Sequence, residues 1–204
     1  MSGLLPQEDS QAHLGRDADI WNAVGVDVAY RELAADGYRN ISLRSIGRTL
    51  GLEPAHILYY FKSREELLQK VIERWDANAL VELGSSREGE SALDFYVRAI
   101  RRNLQVPGIV HLYLTFAAEA VHPEHGAHVY FRERFQQVHE LLGDAIRAEQ
   151  EVGSISASYD ADLESNKLIA LGDGLQLQAL IDPTVDAPGT LEAVVSGLRS
   201  LPRK

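Results

Sequence analysis

From Asp17 to Ser200 the apolar residues recur three and four positions apart, and nowhere do they alternate with polar ones over a stretch bounded by turn residues. A recurrence near 3.6 suits amphipathic helices, whereas a half-buried strand needs a period of two. This feature restricts the chain to an all-α fold. Its 204 residues, 45% of them hydrophobic, suffice for one large domain or two small ones. There is no cysteine, which removes disulfides, thiolate metal sites and a cysteine nucleophile. Met1 to Gln11 is polar and carries Glu8 and Asp9, unlike a signal peptide, and no run of about 18 apolar residues exists to span a bilayer. A soluble, cytoplasmic protein is expected.

About nine helices are predicted. The first runs from about Asp17 to Ala35 with Ile20, Val24 and Val28 on one stripe, and stops at Gly37, a residue suited to a left-handed cap. Ser42 caps a short second helix in which Leu43, Ile46 and Leu50 share a face, and Gly51 ends it. Pro54, tolerated where its missing N–H has no helical partner, opens a third helix that ends near Phe61. Ser63-Arg64-Glu65-Glu66 is a capping box, followed by the stripe Leu67, Leu68, Val71, Ile72, Trp75 of a helix reaching Leu83. Gly84 to Glu90 is glycine, serine and charge, the best internal boundary. The organisation expected is a tail over 1–16, a small domain over 17–64, a connecting helix over 65–83 and a larger domain over 84–204. In the last, Ser91 and Asp94 suggest another capping box; helices follow from Ile109 to Val121, Glu124 to Gln150, Asp160 to Ile181 and Thr190 to Ser200.

Two short helices about a glycine turn fit the helix-turn-helix plan, in which the second helix enters the major groove. A net charge of −10 argues against nucleic acid at first. Its distribution reverses that argument. From Gly37 to Arg64 the charged residues are Arg39, Arg44, Arg48, Lys62 and Arg64 against Glu53, a net of +4 that leaves −14 elsewhere. Basic charge on the one helix-turn-helix segment is the footprint of a phosphate-facing surface.

The run Gly37-Tyr38, Ser42-Leu43-Arg44-Ser45-Ile46-Gly47, Gly51-Leu52-Glu53-Pro54-Ala55-His56-Ile57-Leu58-Tyr59-Tyr60-Phe61 and Lys62-Ser63-Arg64-Glu65-Glu66-Leu67-Leu68 resembles the DNA-binding domain of TetR-type transcriptional regulators over about 50 continuous residues. The segment Leu171 to Pro183 is similar to the dimerisation helix of a subset of that family. The resemblance implies an N-terminal three-helix DNA-binding domain, a larger helical ligand-binding and dimerisation domain, and repression relieved by a small molecule. The chain departs from the family pattern at four positions. Leu58 stands where many relatives have tyrosine, Ser45 where they have an acid, Gly47 where alanine is usual and Gly25 where a bulky aliphatic is usual. Glu53 is also a weak N-cap.

On this reading Ser42 and Arg44 bind a phosphate at the N-terminus of the second helix, and Lys62 and Arg64 hold the backbone on the other side. Tyr59 and Tyr60 contact phosphate or a thymine methyl, unless one of them packs inward. Pro54, Ala55 and His56 lie nearest the base edges; His56 is either a specific hydrogen-bonding group or a solvated surface histidine.

In the larger domain the helix through Leu168, Leu171, Gly174, Leu175 and Gln178, with Leu191, Val195 and Leu198 of the last helix, is apolar over more than one face, as a four-helix homodimer interface requires; a wholly intramolecular bundle is the alternative. Trp75, Tyr96, Phe116, Phe131 and Phe135, with His111, Tyr113 and Glu119 as polar anchors, line an expected pocket for an apolar or aromatic effector, or else are plain core. His122, His125 and His128 are spaced by three, but Pro123 and Gly126 interrupt the face; a solvated corner is the better reading, and no metal or cofactor is expected. The chain has no nucleophile elbow, Walker loop, dinucleotide fingerprint or zinc-protease motif, which disfavours an enzyme. A helical ligand-binding protein without DNA readout is the remaining alternative.

Overall fold

The computed structural model describes residues 23–82 and 90–200. These form nine α-helices and a 3-10 turn at Tyr38–Asn40, and include no strand: α1 (23–36), α2 (Leu43–Leu50), α3 (Pro54–Tyr60), α4 (Arg64–Glu82), α5 (Ala92–Asn103), α6 (Pro107–Glu119), α7 (His128–Glu151), α8 (Ala161–Ile181) and α9 (Ala187–Ser200). The chain divides into two compact units, Met1–Ile72 and Glu73–Lys204, with α4 contributing to both. The expected tail, the helix start at Asp17 with Ile20, the helix end at Leu83 and most of the Gly84 to Glu90 boundary lie outside the described residues.

In the first unit α1 buries Val26, Val28, Ala29 and Leu33, while Val24 is 36% exposed, so its inward face is rotated from the expected stripe. Gly25 is the physical reason. A Cβ there would lie 3.0 Å from the ring edge of Phe61, so that buried ring occupies the space a side chain would take. Gly37 has φ 75° and ψ 170°, a positive φ but an extended ψ rather than a left-handed cap; its N–H still reaches Leu33 O at 3.1 Å. Ser42 caps α2 as expected, and reciprocally: Ser45 N–H donates to Ser42 Oγ (3.0 Å) and Ser42 N–H to Ser45 Oγ (2.9 Å). Serine thus serves at the position where relatives carry an acid. Gly51, at φ 68°, ends the helix in the left-handed region.

Between α2 and α3 the chain turns back on Gly47. Leu52 N–H donates to Gly47 O at 2.8 Å, and a Cβ on Gly47 would lie 2.5 Å from Leu52 O, closer than any side chain permits. Pro54 begins α3, and Glu53 makes no side-chain capping bond. At the next junction Ser63 Oγ accepts from Glu66 N–H (3.1 Å), but the Glu66 carboxylate takes Lys62 N–H (2.6 Å), one residue earlier than the expected box.

The second unit is a helical bundle in which α8 packs on α6, α7 and α9, and α5 on α7 and α9. Leu93, Val97 and Ile100 of α5, Leu142 and Ile146 of α7, Leu168 and Leu175 of α8, and Leu191, Val195 and Leu198 of α9 form one core. Each such side chain contributes about 2 kcal/mol of transfer free energy when taken out of water. Ser91 Oγ caps α5 through Leu93 N–H (3.3 Å), yet Asp94 does not complete a capping box. Its carboxylate receives the Arg199 guanidinium at 2.8 and 2.9 Å, and Arg199 also donates twice to Glu149 at 2.7 Å. The end of α9 is thereby tied to the start of α5 and the end of α7. Asp186 Oδ1 accepts Gly189 N–H (2.9 Å), which starts α9 at Ala187, three residues before the expected Thr190.

Candidate functional site

The geometry of α3 follows from which residues it buries. Ile57 and Phe61 are 2% and 1% exposed, and the opposite side presents Ala55, His56, Leu58 and Tyr59 to solvent. Tyr59 is 77% exposed, whereas Tyr60 is half-buried and meets it edge-on at 5.2 Å. Of the two tyrosines, then, Tyr60 is the one turned partly inward. Pro54 is half-buried at the first turn. Arg39, Arg44, Arg48 and Lys62 are exposed in the same unit. Ser42 is half-buried in its reciprocal cap. Arg64 is already engaged: Nη2 donates to Ile41 O at 3.3 Å and the guanidinium lies 5.4 Å over the Tyr38 ring, so it braces the turn before α2.

The interior of the second unit differs more from expectation. Arg134 on α7 donates from Nε and Nη2 to the two oxygens of Asp76 on α4 (2.7 and 3.2 Å) and from Nη1 to Tyr113 OH (3.2 Å), and it lies 4.7 Å over the Tyr113 ring. Tyr113 OH donates in turn to Asp173 on α8 at 3.2 and 3.4 Å, and Tyr130 OH to Asp76 at 3.2 Å. Burial works against the Arg134 charge, but Tyr113 and Asp76 outweigh it and hold the guanidinium protonated. Burial lifts the Tyr96, Tyr113 and Tyr130 phenols far above their ordinary range. Desolvation also raises the Asp173 carboxyl, against the opposing pull of Arg134 and the Tyr113 hydrogen bond. Two carboxylates share one guanidinium, and Arg134 gives its bidentate contact to Asp76. Asp173 is linked to the guanidinium through the Tyr113 hydroxyl.

Around it lie the aromatics predicted from sequence. Phe131 is buried with its ring 5.6 Å from Tyr113 and 6.2 Å from Phe135, and the Tyr96 hydroxyl abuts Gly172, where a Cβ would collide with it. Trp75 Nε1–H donates to Asn103 Oδ1 (2.7 Å), and its ring is covered at 3.5 Å by Arg102, whose Nε donates to Glu82 (2.7 Å). Asn103 continues to Gln176 Oε1 (3.2 Å). The expectation of an apolar lining with few polar groups is therefore corrected. One predicted anchor, Glu119, lies away from these bonds. Glu119 is exposed at the end of α6, 3.7 Å from His125, and His111 is half-buried. Phe116 is fully buried and packs edge-on against His125 at 5.6 Å. Asp76, Arg134 and Asp173 are not among the positions predicted from sequence; the available signal is a charge inside an apolar helical run, as at Asp173 between Leu171 and Leu175.

Two of the three corner histidines make local side-chain contacts with the backbone. His125 Nδ1 accepts from Ala127 N–H (3.2 Å), His128 Nδ1 lies 2.7 Å from Ala120 O, and His122 is exposed. Among the described residues no group of three or more His, Asp or Glu is arranged to hold a metal, and no helix is long and apolar enough to cross a membrane.

Residues 92–201 match the family described as BetI-type transcriptional repressor, C-terminal, and residues 26–71 match the bacterial regulatory proteins of the TetR family. The chain belongs to the TetR family of transcriptional regulators. It is a DNA-binding regulator rather than an enzyme. HTH-type transcriptional regulator PksA of Bacillus subtilis is 24% identical over 169 residues, covering 77% of each chain. A putative TetR-family regulator from Rhodococcus sp. has a TM-score of 0.68 at 22% identity, covering 88% of this chain and 98% of that one. A putative transcriptional regulator from Saccharomonospora viridis, solved in complex with choline, has a TM-score of 0.67 at 23% identity over 85% of this chain and 94% of that one. Both likenesses show the shared fold.

TetR-family regulators dimerise. Leu168, Leu175, Leu191, Val195 and Leu198, expected at a subunit interface, are instead 7% exposed or less within their own core, because α8 already packs on three helices. Leu171 is half-buried against that core. Gly174 is half-buried with open space where a Cβ would point, and Gln178 is exposed. Alongside them Leu163, Leu177 and Ile181 are 52%, 49% and 77% exposed, as is Val194 of α9 at 41%.

Proposed function

We propose that this TetR-family regulator is a homodimeric repressor that binds a near-palindromic operator through α3 and is released by a small molecule held in the interior of the second unit. The observation that carries the reading is the exposed face Ala55, His56, Tyr59 on α3, with Arg44, Arg48 and Lys62 exposed in the same unit of a chain that is otherwise acidic. Arg44 and Lys62 set the phosphate register, Ser42 and Arg64 brace the turn before α2 and its first residues, Tyr59 and Tyr60 lie along the backbone, and Pro54, Ala55 and His56 meet base edges. Two copies joined along α8, through Gly174, Leu177, Gln178 and Ile181, present two recognition helices to half-sites about one or more DNA turns apart, ~34 Å each.

The effector, on this reading, pairs an aromatic or aliphatic body with a positive charge. The Asp173 carboxyl beside the rings of Tyr96, Tyr113 and Phe131 favours an organic cation over a purely apolar molecule. The choline-bound relative from Saccharomonospora viridis agrees with that chemistry. Release runs through α4, which carries Trp75 and Asp76 in the second unit and Leu67 and Leu68 in the first.

The test is binding to an operator selected from random duplexes, measured against salt. An Arg44→Ala, Lys62→Ala variant should lose most of its affinity while remaining folded, with a salt slope shallower by about two charges. Parental affinity in that variant overturns the contact assignment. Equal operator affinity with and without a saturating panel of quaternary ammonium compounds overturns the effector reading.

A further inference from the structure

The recognition helix exposes a leucine. Leu58 is 44% exposed and falls with Ala55 and Tyr59 at i, i+3 and i+4, so these three make a continuous stripe on the side of α3 opposite Ile57. The residue that α3 buries is Ile57, so Leu58 lies outside the buried core of its unit. Its neighbourhood is not that of a protein-docking patch. In the segment from Gly37 to Arg64 the exposed charges are Arg39, Arg44, Arg48 and Lys62 against Glu53, which complements phosphate and repels basic surfaces.

We infer that Leu58 is a specificity-determining residue that reads the C5-methyl group of a thymine in each operator half-site. The argument is one of elimination on the DNA side. In the major groove every base edge offers hydrogen-bond donors and acceptors, and the thymine methyl is the only apolar group available to a side chain with neither. A leucine placed against any other edge would desolvate a polar group without pairing it, at a cost in affinity. Small Ala55, one turn earlier, lets the helix approach closely enough for a leucine to reach the base. The inference rests on α3 being the DNA-reading helix and adds what one position of that helix recognises.

The experiment uses the full chain and an operator selected from random duplexes with the parent protein. Each thymine is then replaced singly by deoxyuridine, which removes the methyl and keeps the hydrogen-bonding edge. For the parent, one thymine in each half-site should show a loss of about fourfold on replacement. Leu58→Ala should bind the thymine operator more weakly by a similar factor and show no further loss at that thymine. Val129→Ala, exposed on α7 and outside the proposed contacts, should retain the parent's sensitivity there. Leu58 is exposed, so its variants are expected to fold, and thermal unfolding of Leu58→Ala and Leu58→Met checks this. A parent insensitive to deoxyuridine everywhere overturns the inference, as does a Leu58→Ala variant with the parent's full sensitivity. Enrichment of no sequence at all would instead overturn the DNA-reading role of α3, so the two failures are distinguishable.

Discussion

Arg134 and Asp76 form a two-pronged ion pair between α7 and α4, Nε to Oδ2 at 2.7 Å and Nη2 to Oδ1 at 3.2 Å. Replacing Arg134 by leucine leaves Asp76 and Asp173 as unpaired carboxylates facing three tyrosines. The expected loss is about 2–3 kcal/mol in urea unfolding, below the ~3–5 of a fully buried pair because the Asp76 side chain keeps some contact with solvent. Arg134→Leu combined with Asp76→Leu should recover part of that loss. A double variant no more stable than the single one would show that the pair itself, rather than the stranded charge, supplies the stability.

Asp173 predicts a pH dependence of definite sign. Its carboxyl is raised in the folded state by desolvation, so its contribution to stability is fully present below the ordinary carboxylate range and is lost as pH rises through the raised value. Asp173→Asn should therefore melt higher than the parent near neutral pH, with the difference shrinking on acidification, while responding more weakly to organic cations. Glu149 acts in the opposite sense. Hydrogen bonding from Arg199 holds its carboxyl low, so its contribution is lost as pH falls, and Arg199→Met should flatten the acid limb. Melting temperatures across about pH 3 to 8 test both signs.

Gly47→Ala should destabilise the first unit although alanine is the better helix former by about 1 kcal/mol. The new Cβ meets Leu52 O at 2.5 Å, and that residue is held by its own N–H bond to Gly47 O, so the turn cannot relax without losing the bond. A net loss of about 1–3 kcal/mol is expected, together with weaker operator binding. Gly25→Ala, whose neighbour is the Phe61 ring at 3.0 Å, should cost less. Hydrogen exchange resolved by unit tests this, and unchanged protection around α2 and α3 in Gly47→Ala would contradict it.

Leu177→Glu and Ile181→Glu, on the exposed side of α8, should dissociate the proposed dimer with little change in the fold of the unit. Leu168→Ala, in the core of the same helix, should instead cost about 2–4 kcal/mol and affect assembly only through unfolding. Sedimentation and thermal melts on the same samples separate the two effects.

The helices were legible because their signals are local. Gly51, Pro54, Ser42 and Asp160 act on backbone groups within four residues, and each marks a real helix end. Misses arose wherever a distant residue competed for a local one. Asp94 looked like a capping-box acid, but Arg199, 105 positions away, takes its carboxylate. Leu168 and Leu175 looked available to a second subunit, yet their own neighbours bury them.

By itself the sequence determined the all-α class, the helix-turn-helix and the placement of positive charge on it, because period, capping and charge are properties of adjacent residues. Tertiary structure decided the rest. It turned Tyr59 outward and Tyr60 partly inward, let Phe61 fill the space at Gly25, and gathered Asp76, Tyr113, Arg134 and Asp173 from four helices into one charged cluster. Those partners are separated by 58 and 60 positions along the chain, and no local pattern encodes which buried charge will meet which. That choice is made by packing, where a charge removed from water must find its partner among whatever side chains the fold brings within reach.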